Sequence, residues 1–129
     1  MRLYSVAVAS LAIDAPLKWT DNLLSQHDIP EVAHHDRGVA RGVSWNALVR
    51  LGLIRVLNQE LGCGVRDAVA LSAVLVEGQG AFEAAGFLSL TFDRPALENV
   101  LGSRLREALE SAPRPRRGRP ARRGAGRST

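Results

Sequence analysis

Cysteine, aromatic side chains and long apolar runs are scarce in this chain of 129 residues. The single cysteine, Cys63, excludes an intramolecular disulfide and a cysteine-rich zinc site. Aromatic residues make up only 5% of the chain and hydrophobic residues 46%, so the core must consist mainly of Leu, Val and Ala, which favours helices. No apolar run reaches the roughly 18 residues that a membrane span requires, and residues 1–8 lack the apolar region of a signal peptide. We therefore expect one small cytoplasmic domain with no membrane segment, followed by a tail.

Recognisable catalytic groups are also missing. The segment 62–64 is too short for a phosphate-binding glycine loop and follows a predicted helix rather than a strand. His27, His34 and His35 lie close together in the sequence, which is compatible with an exposed polar loop, a metal site or a pH-sensing group. The adjacent His34 and His35 would point to opposite sides of an extended segment, which favours the loop. The sequence thus predicts no enzyme activity, no metal and no cofactor.

Charge is divided unevenly along the chain. Seven of the 17 basic side chains lie after residue 112, and none of the 13 acidic ones does. The tail 113–129 therefore carries +7, whereas the remaining residues have a net charge of −3. A polyanionic partner would meet the tail first.

Two short helices are predicted near the N-terminus. Ser5 is a suitable N-cap for a helix that extends to Ala12. Pro16 suits the first turn of a second helix, which covers about Leu17 to Gln26. A tight turn between two such helices is typical of a helix-turn-helix motif.

A small β-hairpin, or wing, is predicted after these helices. Residues 36–38 (Asp-Arg-Gly) have the composition of a hairpin tip, and residues 39–43 alternate as in a strand. Ser44 then caps a helix predicted to end at Gly62. The next helix, about Val65 to Glu77, is apolar over much of its circumference, and we expect it to be buried on two sides.

The last predicted elements are a strand at 87–93 and a helix capped by Asp93. The strand needs a partner to pair with, and the wing, the N-terminus or a second chain would each supply one. The apolar stripe of the helix comprises Leu97, Val100, Leu101, Leu105, Ala108 and Leu109. Twofold closure would pair the strand and bury the stripe, so residues 87–110 are predicted to form a homodimer interface.

The fold class expected from these patterns is mainly α with a small β component. It comprises a winged helix-turn-helix at 1–78, a strand–helix segment for dimerisation or partner docking at 79–112, and a disordered tail rich in Arg, Pro and Gly at 113–129.

The second helix carries side chains suited to DNA. Several of its side chains are of the types that contact base edges or phosphates, although a merely solvated helix face has the same composition: Lys18, Thr20, Asp21, Asn22 and Gln26. Trp19 would stack on a base or, given its spacing to Leu23, anchor the helix in the core.

The order of helix-turn-helix, wing and longer helix over residues 4–77 resembles the MerR-type winged helix-turn-helix domain. The segments that carry the likeness are 4–12, 16–19 and 37–41, together with Ser44. The resemblance implies that the second helix enters the major groove, with Lys18, Thr20 and Asn22 on DNA. It further implies that Arg37 and Arg41 contact the backbone from the wing. The chain departs from the family at Asp21, whose carboxylate would repel a phosphate, and in lacking the long C-terminal coiled-coil helix.

The tail contains Arg117, Gly118, Arg119 and Pro120, which resemble the core of an AT-hook. In that motif an extended Arg-Gly-Arg lies in the narrow minor groove of A·T tracts, where the negative potential is greatest. A general polybasic tail is the alternative.

Together these features predict a nucleoid-associated, sequence-specific DNA-binding regulator that acts on double-stranded DNA as a homodimer. The alternative is an antitoxin-like interaction module that docks on another protein through its apolar C-terminal half.

Overall fold

The computed structural model describes residues 2–33 and 41–111, which form five helices and two small antiparallel sheets. The expected mainly α fold with a small β component is therefore confirmed. Within the described residues, no helix has the length and apolar character needed to cross a membrane.

The N-terminal half contains β1 (Tyr4–Ser5), α1 (Val6–Ala12), α2 (Leu17–Gln26), β2 (Val32–Ala33) and β3 (Gly42–Val43). The three strands pair antiparallel in the order β1-β3-β2, so β3 lies in the centre. Both predicted helices and a hairpin of two strands are thus present. The residues predicted for the hairpin tip, 36–38, lie outside the described residues.

The α1–α2 turn is fixed by local hydrogen bonds. The hydroxyl of Ser5 accepts a hydrogen bond from the Val8 amide at 3.1 Å, which confirms Ser5 as the N-cap of α1. Asp14 adopts a positive φ of 57°, and the Ala15 amide donates to the Ser10 carbonyl. Pro16 is the N-cap of α2, one position earlier than the first turn, and α2 covers the predicted residues.

Two helices follow the hairpin: α3 (Trp45–Gln59) and α4 (Val65–Glu77). α3 ends at Gln59, three residues before the predicted Gly62. Gly62 itself has the positive φ (73°) expected of a residue that follows a helix, and the Cys63 amide donates to the Leu57 carbonyl at 3.0 Å. α4 has the predicted bounds, but the expected burial on two sides is wrong. Only its Ala68, Ser72 and Leu75 are fully buried, and Val74 is exposed.

A second sheet, β4 (Ala81–Ala84) and β5 (Leu88–Thr91), contains the predicted C-terminal strand. The partner of that strand within the described residues is β4 of the same chain, so the wing and the N-terminus, two of the partners expected from the sequence, were wrong. The Gly80 amide donates to the Leu75 carbonyl and the Phe92 amide to the Gly80 carbonyl, which fastens the hairpin to the end of α4.

The last helix, α5 (Arg94–Ser111), begins at the predicted cap, where the Ala96 amide donates to Asp93 Oδ1 at 3.0 Å. Its Leu101, Leu105 and Ala108 are buried in the same core as the earlier helices, and α5 packs against α1 and α3.

The predicted dimer stripe is therefore largely covered by the chain itself, because α1 and α3 present an apolar surface that α5 fills. Val100 and Leu109, on the two flanks of the stripe, remain exposed. The segment 79–112 thus contributes to the core of residues 1–78.

Candidate nucleic-acid interface

One side of α2 is buried and the other faces solvent. Leu23 and Leu24 lie in the core, whereas Lys18, Asn22 and Ser25 are exposed. The exposed side therefore presents the ammonium group of Lys18 and the amide of Asn22 about one helical turn apart, whereas the Ser25 hydroxyl is already bonded within the protein. These are groups that bind phosphates and the edges of bases.

Thr20 cannot belong to such an interface, and its assignment from the sequence was wrong. Its side chain is completely buried, and its hydroxyl points back to the Pro16 carbonyl at 3.5 Å. The reason is helical geometry: Thr20 stands three and four residues before Leu23 and Leu24 and shares their face.

Arg41 directly precedes β3, and its side chain reaches across to α2. Its guanidinium donates to Asp21 Oδ1 at 2.9 Å and to the Ser25 hydroxyl at 3.1 Å. The side chain is only 14% exposed, so Arg41 is bound within the protein rather than free for a phosphate. This corrects its predicted role as a direct contact from the wing.

The same ion pair changes the electrostatic effect that Asp21 would have on DNA. The carboxylate, expected to repel DNA, is held against a guanidinium and is partly neutralised. The pair also fixes the base of the β2–β3 hairpin to the edge of α2. We call this group of three side chains, Arg41, Asp21 and Ser25, the α2 clamp.

A second polar network supports the hairpin from the side of α3. Ser44 accepts from the Ala47 amide at 3.1 Å as the predicted N-cap, and its hydroxyl donates to Glu31 Oε1 at 2.9 Å. Asn46 donates to the same carboxylate and accepts from Arg94 of α5 at 3.0 Å. The hairpin base, α3 and α5 are thereby connected.

Trp19 is half-buried and packs against the core, which favours its interpretation as an anchor of α2. The guanidinium of Arg55 lies 4.9 Å from the centre of a Trp19 ring. Arg55 is itself held by a hydrogen bond from its Nε to the Asp14 carbonyl at 3.2 Å.

On the flank of α2 away from the α2 clamp, a cleft separates α2 from the start of α4. It has a volume of about 400 Å³ and is lined in part by Trp19, Asn22 and Arg66. Neither the cleft nor the α2 clamp was predicted, because each joins residues that are distant in sequence and carry no shared local pattern.

Several predicted site residues fall outside the described part of the chain. They are Arg37, Arg117, Gly118, Arg119 and Pro120. His34 and His35 lie there as well. Among residues 2–33 and 41–111, no three His, Cys, Asp or Glu side chains come together as a metal site would require.

Comparison of the chain with protein-family models, curated proteins and solved structures gave no match. The MerR-type resemblance therefore stays a prediction from the residues that carry it.

Proposed function

We propose that this protein is a sequence-specific regulator that binds double-stranded DNA through the exposed face of α2. The observation that carries the proposal is the arrangement of α2: its apolar side is buried, its polar side is free, and the β2–β3 hairpin is fastened to its edge by the α2 clamp. An α-helix presented in this way fits the width of the major groove.

Two side chains would read the DNA. The Asn22 amide is able to donate to and accept from an adenine edge, and Lys18 is able to donate to guanine or a phosphate. Arg37, which lies between β2 and β3 in the sequence, would supply phosphate contacts and association with the nucleoid together with the arginines of the tail. Arg117, Gly118, Arg119 and Pro120 would add a minor-groove contact of the AT-hook type.

Selection from a random duplex library tests this function. The double variant Lys18→Ala with Asn22→Ala should lose sequence preference while it keeps its fold, because both side chains are exposed. The matched control changes Arg106 and Asn99 to Ala, which removes the same charge and the same amide from the exposed side of α5. Equal preference in the two double variants would exclude α2 as the reading element.

A second candidate function, protein docking, is favoured by the tip of the β4–β5 hairpin. Phe87 is 87% exposed, and Leu88 beside it is exposed as well. Pairing of two copies of this chain at the hairpin tip would remove both apolar side chains from water, and we propose a second copy as the partner. Light scattering should then give twice the chain mass for the parent and the single mass for Phe87→Ser. A monomeric parent at micromolar concentration would remove this candidate.

A further inference from the structure

The cleft between α2 and α4 has the size of a small-molecule site. Its volume of about 400 Å³ lies within the range of about 300–1,000 Å³ that is usual for such sites. α2 and the residue after it supply one wall, and Val65 and Arg66 of α4 supply the other.

The apolar part of the cleft favours a flat ligand. Trp19, Leu23 and Val65 line it. Trp19 is braced by Arg55, so its ring is already positioned before a ligand arrives. An indole ring so placed offers an aromatic ligand an offset-stacked or edge-to-face contact.

The polar part of the cleft favours an anion. Arg66 lines it and has no ion pair within the described residues, and no carboxylate is among the lining side chains. His27 lines it too, and the amides of Asn22 and Gln26 add hydrogen-bond donors. A guanidinium binds a carboxylate with two parallel hydrogen bonds, which a neutral group does not reproduce.

We propose that this cleft binds a small aromatic carboxylate, with its ring against Trp19 and its carboxylate on Arg66. The proposal does not depend on DNA binding, and the naphthoate titrations that test it are carried out without DNA.

The test uses the full chain, 1-naphthoate as the probe and the two tryptophan indole N–H signals in NMR spectra. The signal of Trp19 should shift with saturation and a Kd of about 1 mM or below. The signal of Trp45 should stay in place, because its indole donates to Glu98 on α5, away from the cleft. Trp19→Phe assigns the two signals, and Trp45→Phe does so if the first variant fails to fold.

Two comparisons isolate the carboxylate–Arg66 contact. Arg66→Gln should weaken naphthoate binding about tenfold or more, whereas Arg106→Gln, the same change on the exposed side of α5, should leave it unaltered. The neutral isostere 1-naphthamide should bind the parent more weakly than naphthoate does, and Arg66→Gln should abolish that difference.

Three results would overturn the proposal. They are no saturable Trp19 shift up to about 10 mM naphthoate, equal affinity for carboxylate and amide, and an unchanged Kd in Arg66→Gln. A fourth result would do the same. If a DNA duplex shifts the Trp19 signal, Arg66→Gln removes that shift, and naphthoate causes none, then the cleft binds nucleic acid and the proposal is overturned.

Discussion

Arg41 is the residue that connects the hairpin to the proposed reading helix. Its guanidinium is largely buried, and its hydrogen bonds reach both a carboxylate and a hydroxyl on α2. Asp21 remains 60% exposed, so solvent screens part of the attraction. The ion pair therefore matters for geometry as much as for stability, because it sets the position of the β2–β3 hairpin beside α2.

A double-mutant cycle measures the α2 clamp. We expect Arg41→Ala to lower the free energy of unfolding by about 1–2 kcal/mol, because it removes a largely buried, charge-assisted hydrogen-bond group. Combination with Asp21→Asn should show a coupling energy of about 0.5 kcal/mol or more in urea denaturation. The control is Arg66→Ala, an exposed arginine without an ion pair in the described part of the chain. Additive effects of the two clamp changes would mean that the ion pair contributes nothing measurable to stability.

The two serine caps offer a matched pair at the same scale. Ser44 is buried and binds both the Ala47 amide and Glu31, whereas Ser5 is exposed and, among the described residues, its side chain binds the Val8 amide alone. Ser44→Ala should cost about 1–2 kcal/mol, near the upper end for N-caps, and Ser5→Ala about 0.5–1 kcal/mol. Thermal unfolding of both variants checks the order. A larger cost at Ser5 would contradict it.

Single residues were predictable where the physics is local. The caps at Ser5, Ser44 and Asp93 follow from a side chain that bonds an amide three residues ahead. The α2 clamp had no such signal, because Asp21 and Arg41 are joined only by the fold. The assignment of Thr20 to DNA was wrong because it followed from the polar character of the side chain, whereas Thr20 lies on the buried face of α2.

At the scale of elements, α5 is the helix whose role differed most from its prediction. Its amphipathic pattern correctly indicated a buried stripe, but the pattern does not say which surface covers it. Gly52 on α3 favours α3 as a covering surface. A Cβ at this position would lie 3.2 Å from Leu101 Cδ2, so the glycine lets α5 approach α3 closely.

Two neighbouring residues on α5 test this packing. Leu101→Ala removes a side chain that is 1% exposed and should lower the free energy of unfolding by about 2–5 kcal/mol. Val100→Ala, at a position that is 45% exposed, should cost less than about 1 kcal/mol. Chemical denaturation at two protein concentrations separates this core from a dimer interface. A midpoint for Leu101→Ala that depends on concentration would indicate that the stripe packs between chains.

The β4 strand shows why one element escaped prediction. Its sequence, Ala-Phe-Glu-Ala, has one residue of high β-propensity and is too short for a clear alternation. Its pairing depends on a positive φ at Ala85, where a non-glycine residue gives no turn signal, followed by Gly86. The bounds of α2 and α4, by contrast, were predictable from periodicity and flanking Pro and Gly.

For the molecule as a whole, the uneven charge makes a prediction about salt. Removal of residues 113–129 takes away seven positive charges and leaves a body with a net charge of −3. Each phosphate neutralised contributes about 0.9 to the log–log salt slope of DNA binding, so the slope should fall by roughly 3–6. Titrations at several salt concentrations with the full and shortened chains measure this difference. An unchanged slope would mean that the tail does not contact phosphates.

Gly118 separates an AT-hook from a polybasic tail. Gly118→Val keeps every charge but adds bulk at the position that would lie on the floor of the minor groove. The ratio of affinities for A·T-rich and G·C-rich duplexes should fall to about one, with little change in the salt slope. A ratio equal to that of the parent would leave only the polyelectrolyte interpretation.

The packing of α5 on α1 has a consequence for synthesis. The core joins residues near the start of the described chain to residues near its end, so Leu105 and Ala108 must exist before α1 is covered. Roughly 45 residues are added between the end of α3 and Leu105, which takes a ribosome about 2–9 s at about 5–20 residues per second. Throughout that interval the apolar surface of α1 that α5 will cover stays open, and we expect the nascent chain to bind chaperones that recognise exposed hydrophobic segments.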